Sequence, residues 1–89
     1  MGSHQDAISK YLKNGKIYIW PSKIEPKKIV LSYLAGKFAK DIKYTEKQVG
    51  EIIETNTCVL DKAFFRRALY DYHFLDRTND GKYYWKEIL

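Results

Sequence analysis

The topology of this chain is set by residues 45–85, which read TEKQVGEIIETNTCVLDKAFFRRALYDYHFLDRTNDGKYYW. The stretch opens with a capping box, in which Thr45 and Gln48 satisfy free backbone N–H groups at a helix start. Apolar residues then recur at helical spacing. Asp61 is suited to cap the next helix of this stretch. Thr78-Asn79-Asp80-Gly81 is a hairpin signal between two runs of residues with high β-propensity. These residues predict helix, tight turn, helix and β-hairpin.

The helix predicted from Asp61 to about Tyr72 has one apolar side and one basic side. Its inward positions, spaced i, i+3, i+4 and i+7, are Phe65, Ala68, Leu69 and Tyr72. The far side carries Ala63, Arg67 and Tyr70, and the flanks carry Lys62, Phe64 and Arg66.

The residues before Thr45 predict further elements. A short helix is expected from Asp6 to Lys13, ended by Asn14-Gly15, and a short strand over residues 17–20. A second helix carries Pro26 in its first turn, and its buried stripe is Leu31, Leu34 and Phe38, flanked by Val30 and Ala35. Lys43-Tyr44 can pair as a very short strand.

The expected fold is α+β: a winged helix-turn-helix with a C-terminal β-hairpin wing and an extra N-terminal helix and short strand. A chain of 89 residues supports one core, and its many aromatic residues are atypical of disorder. Residues 1–4 resemble a cloning scar, so we expect a single domain over residues 5–89. Trp85, in the returning strand of the hairpin, is expected to pack in the core against Phe38 or Leu69, and Trp20 to cover the same core.

Several motifs resemble the bacterial "domain of unknown function 2087" family. They are Ile19-x-Pro21-Ser22-Lys23, Lys27-Lys28, Val30-Leu31-x-Tyr33-Leu34-Ala35-x-Lys37-Phe38, Tyr44-Thr45-Glu46-x-x-Val49-x-Glu51-Ile52, Arg66-Arg67-x-Leu69-x-Asp71-Tyr72 and Asp80-Gly81-x-x-Tyr84-Trp85. The similarity runs from about Ser9 to Trp85. Family members occur alone or behind helix-turn-helix regulator domains, so the resemblance implies a link to transcription. The chain departs from the pattern at Phe64-Phe65, where Thr-Leu is usual, and at His73, where Gly is usual.

The net charge of +5 is unevenly distributed along the chain. Residues 5–40 carry eight lysines and two acids, residues 41–61 two lysines and five acids, and residues 62–89 six bases and four acids, giving +6, −3 and +2. A basic domain with one acidic central element can orient against a polyanion. The alternative explanation is that these charges only keep the surface soluble and mark no binding site.

The helix that follows Asp61 is the main candidate for nucleic-acid recognition. In a helix-turn-helix the second helix enters the major groove. Arg66 and Arg67 can each donate two parallel hydrogen bonds to guanine, whereas Lys62 suits phosphate. The alternative is that these bases only solvate the helix and pair with nearby acids.

Further phosphate contacts are expected from Lys27 and Lys28, at the basic start of a helix, and from Lys82 at the hairpin tip. The sequence therefore predicts a non-enzymatic domain that binds double-stranded DNA in bacterial gene regulation. The candidate binding residues are Lys27, Lys28, Lys62, Arg66, Arg67 and Lys82. A second hypothesis is a protein-interaction or ligand-sensing module of a larger regulator, with Phe64 exposed beside Tyr70 as the contact surface.

Catalysis, metals and cofactors find little support in the sequence. It contains no nucleophile elbow, phosphate-binding glycine loop, His-x-x-x-His or Cys-x-x-Cys. Residues 76–87 have the spacing of an EF-hand loop, but Tyr83-Tyr84-Trp85 favours a strand there, so we expect no calcium site. The single Cys58 reads as a packed residue in a reducing cytosol. We therefore expect a cytoplasmic protein that is not an enzyme.

Overall fold

The computed structural model describes residues 8–58 and 61–87, and these form a mixed α+β domain. Three helices lie wholly within the described residues, and five short strands form two antiparallel sheets. The helices are α1 (Ile24–Ala35), α2 (Glu46–Asn56) and α3 (Lys62–Asp71). The strands are β1 (Leu12–Lys13), β2 (Lys16–Ile17), β3 (Tyr44–Thr45), β4 (Leu75–Arg77) and β5 (Tyr83–Lys86). The predicted α+β class is confirmed.

The N-terminal segment differs from the helix predicted over residues 6–13. Residues 6–7 lie outside the described part of the chain, residues 8–9 are helical, and β1 already begins at Leu12. Asn14 and Gly15 both have positive φ, 54° and 78°, which is the backbone of a two-residue type I′ turn. Asn-Gly therefore closes the β1–β2 hairpin rather than ending a helix.

The strand predicted over residues 17–20 is only partly present, because β2 ends at Ile17. Ile17 is fully buried and forms a parallel bridge with Thr57, while the backbone N–H of Cys58 donates to the Ile17 carbonyl at 2.7 Å. Cys58 itself is exposed, so the prediction that it is a packed residue is wrong. Trp20 lies in the segment that follows and packs edge-to-face on Phe65, with ring centroids 5.6 Å apart. The expectation that Trp20 covers the core is confirmed.

Both helix starts predicted in residues 45–85 are present. Thr45 Oγ1 accepts from the Gln48 N–H at 3.1 Å, and Gln48 Oε1 accepts from the Thr45 N–H at 2.9 Å. Asp61 Oδ1 accepts from the Phe64 N–H at 3.2 Å. In α1, Pro26 occupies the first turn as predicted. The helix ends before Phe38, which is nevertheless buried.

The core confirms most of the predicted apolar stripes. Leu31, Leu34 and Val49 are fully buried, as are Ile53 and Leu69. The remaining members of the buried cluster are Ile8, Ile17, Val30, Ala35, Phe38, Phe65, Ala68, Leu75 and Tyr84.

The C-terminal sheet has the strand order β3-β5-β4, with both pairings antiparallel. On β5, Tyr84 lies opposite Tyr44 on one side and Arg77 on the other. Tyr84 is buried, so its neighbours in the strand point to the other face. The prediction that Trp85 packs in the core is therefore wrong: Trp85 is half-buried, and the Lys43 ammonium lies 5.9 Å from its ring centroid.

The turn between α3 and β4 places His73 at φ 65°. This left-handed backbone is costly for residues with a Cβ, whereas Gly adopts it readily. We expect His73→Gly to raise the free energy of unfolding by about 1 kcal/mol. Urea denaturation measures this, with His73→Ala as the control that keeps a Cβ. An equal gain from both substitutions would contradict the explanation.

Candidate nucleic-acid interface

Helix α3 separates two open grooves on the surface. The first, here called the arginine groove, lies between α3 and the β4–β5 hairpin and has a volume of about 440 Å³. The second, here called the aromatic groove, lies between α3 and the segment containing Trp20 and Lys27, with a volume of about 280 Å³. The arginine groove is lined by Arg66, Arg67, Tyr70, Asp71, Arg77 and Tyr84. The aromatic groove is lined by Trp20, Lys27, Phe64, Arg67, Ala68, Asp71 and Tyr72.

Arg67 lines both grooves. Its side chain is 83% exposed, and its Nε lies 3.7 Å from Asp71 Oδ2 one helical turn later. A pair of this length and exposure contributes little to stability and competes weakly with another anion. Arg67 is therefore free to exchange its carboxylate partner for a phosphate.

Arg66 is in a different situation. Its side chain is only 24% exposed, and its Nη1 lies 3.2 Å from Glu46 Oε2 at the start of α2. This contact joins the first turn of α2 to the middle of α3. Arg66 therefore lines the arginine groove while its guanidinium is engaged within the domain.

Arg77 comes from β4 and completes the arginine groove. Its guanidinium lies 4.8 Å from the ring centroid of Tyr70, a cation–π distance. The ring holds the guanidinium in place without neutralising its charge. Arg77 is not among the binding residues predicted from the sequence, because only the packing of β4 against α3 brings it beside Arg66 and Arg67.

The other predicted residues lie apart from the arginine groove. Lys62 is 3.8 Å from Glu54 and lines a separate hollow with Glu46, Lys47, Gly50 and Arg66. Lys27 lies 5.7 Å from the Trp20 ring centroid and lines the aromatic groove. Lys28 and Lys82 are exposed and line neither groove. Of the six predicted residues, the structure thus brings Arg66 and Arg67 together in the arginine groove.

Phe64 and Tyr70 do not lie beside each other, contrary to the expectation of one shared contact surface. They are six positions apart in the chain, so their side chains are rotated well apart around α3. Phe64 lines the aromatic groove and is 43% exposed, whereas Tyr70 lines the arginine groove. Phe64 and Tyr70 therefore do not form one continuous contact surface, because Arg67 lies between the two grooves that they line.

The Arg66–Glu46 contact predicts a measurable coupling between α2 and α3. We expect Arg66→Ala to lower the free energy of unfolding by about 1 kcal/mol, because it removes both the ion pair and the packing of the side-chain stem. A double-mutant cycle with Glu46→Ala, followed by urea denaturation, should give a coupling of about 0.5–1 kcal/mol. The more exposed Arg67–Asp71 pair is the matched control, with an expected coupling of about 0.3 kcal/mol. A larger coupling in the control pair would contradict this assignment.

The hairpin tip that carries Lys82 is held by hydrogen bonds to the Asp80 carboxylate. Thr78 Oγ1 donates to Asp80 Oδ1 at 2.7 Å, and the Lys82 backbone N–H donates to the same oxygen at 3.0 Å. These hydrogen bonds, that from Thr78 first, lower the pKa of Asp80 below the 3.8 of an unperturbed aspartate. The Lys82 ammonium thus belongs to a tip that also carries a carboxylate.

The lowered pKa predicts a small acid sensitivity of the hairpin. The ionised form is favoured in the folded state, so its stabilisation is complete above the unfolded pKa and is lost as the pH falls through the lower folded pKa. We expect an NMR titration to place the Asp80 midpoint below 3.8. Thr78→Val should move it back toward the ordinary value, and an unchanged midpoint in that variant would contradict the assignment.

The fold and the site together define a small α+β domain with an arginine-lined groove between a helix and a β-hairpin. The chain belongs to the bacterial family described as "Uncharacterized protein conserved in bacteria (DUF2087)", whose model matches residues 16–86. The predicted family resemblance is thereby confirmed, and the match includes α1 to α3 and both grooves. No curated protein and no solved structure matches the chain. Among the described residues, no helix has the length and apolar character needed to span a membrane.

Proposed function

We propose that this domain is a winged helix-turn-helix that binds double-stranded DNA in bacterial gene regulation and catalyses no reaction. The observation that carries the proposal is the arginine groove, in which three arginines and one acid line the space between α3 and the hairpin. A groove with this excess of guanidinium groups attracts the phosphates of a polyanion.

The order and pairing of the elements support the winged-helix interpretation. Helices α2 and α3 follow each other with only residues 57–61 between them, close to the turn of about 3–4 residues in a helix-turn-helix. Strand β3 directly precedes α2 and pairs with β5 of the hairpin. The hairpin is therefore tied to the α2–α3 pair, in the position of a wing beside a recognition helix.

Within this proposal, the basic residues have different roles. Arg67 and Arg77 contact the DNA, because the first is highly exposed and the second keeps its full charge against Tyr70. Arg66 is a positioning residue that fixes α3 against α2 through Glu46. The exposed Lys28, Lys62 and Lys82 supply outer phosphate contacts along the same basic domain.

Fluorescence anisotropy of a labelled random duplex tests this function directly. We expect saturable binding at low salt, weakening as salt is raised, with a log–log slope of about −2 or steeper because at least two phosphate contacts contribute about 0.9 each. A single strand of the same length and a neutral peptide nucleic acid are the comparison ligands. Binding that stays millimolar at low salt would refute the proposal.

A further inference from the structure

One wall of the aromatic groove consists of the Trp20 and Phe64 rings, and this ring wall is only partly covered by other residues. The Trp20 and Phe64 rings meet edge-to-face with centroids 5.2 Å apart, and the buried Phe65 supports both at 5.6 and 5.4 Å. Phe64 is nevertheless 43% exposed. Because Phe65 fixes both rings from below, the wall presents ring surface to the groove without needing to rearrange.

Two cations border this wall. The Lys27 ammonium lies 5.7 Å from the Trp20 ring centroid, and Arg67 lies on the α3 side of the groove. Asp71 is the one carboxylate in the lining, and it faces Arg67 at 3.7 Å. The lining therefore carries a net charge of +1, with Lys27 as the cation that has no carboxylate partner among the groove-lining residues.

We propose that the aromatic groove binds a small flat aromatic molecule that carries one negative charge, such as an aromatic carboxylate. The ring of the ligand packs on Phe64 and Trp20, and its anionic group lies between Lys27 and Arg67. The volume of about 280 Å³ accommodates one or two fused rings but not a larger cofactor. Binding of this ligand requires no DNA.

Arg67 links ligand binding in the aromatic groove to DNA binding in the arginine groove. This link, unlike ligand binding itself, rests on the proposed DNA-binding function. The same residue, Arg67, lines both grooves, so a ligand anion that engages its guanidinium withdraws it from phosphate. Ligand and DNA should then weaken each other's binding by the same factor.

The test uses 2-naphthoate as the probe and 2-naphthalenemethanol as its neutral counterpart, with the full chain and no DNA present. In ¹H–¹⁵N spectra, we expect naphthoate to shift the Trp20 indole N–H and the amides of residues 64–72, with a dissociation constant of about 1 mM or tighter. The Trp85 indole, which lies on the other side of the C-terminal sheet in a different hollow, is an internal control. A Trp85→Phe variant assigns the two indole signals.

Two pairs of variants separate the ring contact from the charge contact. Lys27→Gln should weaken naphthoate roughly tenfold and leave the neutral probe unchanged, while Lys28→Gln, which removes the same charge outside the groove, should change neither. Phe64→Ala should weaken both probes, and Tyr83→Ala, which removes an equally exposed ring elsewhere, should weaken neither.

Three results would overturn the proposal: no saturable shift of Trp20, shifts centred on Trp85, or equal affinity for the charged and neutral probes. The last result would indicate a purely apolar surface suited to a partner's side chain. All three are measured without DNA, so they are distinguishable from a failure of DNA binding.

Discussion

Replacing Arg67 and Arg77 together with alanine is expected to weaken duplex DNA binding by roughly 10- to 100-fold at low salt and to reduce the salt slope by about 1.8, because two phosphate contacts at about 0.9 each are removed. Both guanidinium groups line the arginine groove, and neither is buried in a strong ion pair. The measurement is the anisotropy titration at several salt concentrations, repeated for the variant.

The control for this prediction removes the same charge from a different surface. Lys37→Ala with Lys40→Ala takes away two exposed lysines near the end of α1. Lys37 lines a hollow with Gln48, Glu51 and Thr55 of α2. These residues lie on the opposite side of α2 from Glu46, Lys47 and Gly50, which line a hollow with Arg66. Equal losses of affinity in the two double variants would reduce the binding to net charge and contradict a localised site.

Much of the fold could be predicted because its signals are local in sequence. The capping box at Thr45 and the cap at Asp61 act within three residues, and their hydrogen bonds are present as expected. The turn at Thr78-Asn79-Asp80-Gly81 likewise fixes the hairpin through its own residues. Such elements depend little on the rest of the chain.

The wrong predictions arise where the same local sequence is compatible with two different structures. Asn14-Gly15 suits both the end of a helix and a type I′ turn, because both require positive φ. The hydrogen bond from the Tyr33 hydroxyl to the Gly15 carbonyl, at 2.7 Å, favours the turn and comes from a residue far along the chain. Likewise, Tyr84 rather than Trp85 faces the core because of its register with β3 and β4.

The site itself was only partly predictable for the same reason. Helical spacing correctly places Arg67 on the exposed side of α3. It does not reveal that Arg66 meets Glu46, which belongs to another helix, or that β4 carries Arg77 to the same groove. The spacing likewise could not show that the segment with Trp20 and Lys27 closes a second groove on the other side of Arg67.

The adjacent residues Phe64 and Phe65 should differ sharply in their contribution to stability. Phe65 is 2% exposed, whereas Phe64 is 43% exposed. Phe65→Ala is expected to cost about 3–5 kcal/mol, because it removes a buried ring and leaves a cavity. Against a total stability of about 5–15 kcal/mol for a small domain, this loss is a large fraction of the whole.

Phe64→Ala, the matched substitution on the neighbouring position, should cost only about 1 kcal/mol, since it removes edge-to-face contacts and a partly exposed ring. Urea denaturation followed by circular dichroism measures both variants. Phe65→Leu extends the comparison, because it keeps an apolar side chain at the buried position, and it should cost less than Phe65→Ala, about 1–2 kcal/mol. Similar losses for the two alanine variants would mean that Phe64 belongs to the core, and the aromatic groove would then lose the exposed ring on which its ligand is proposed to pack.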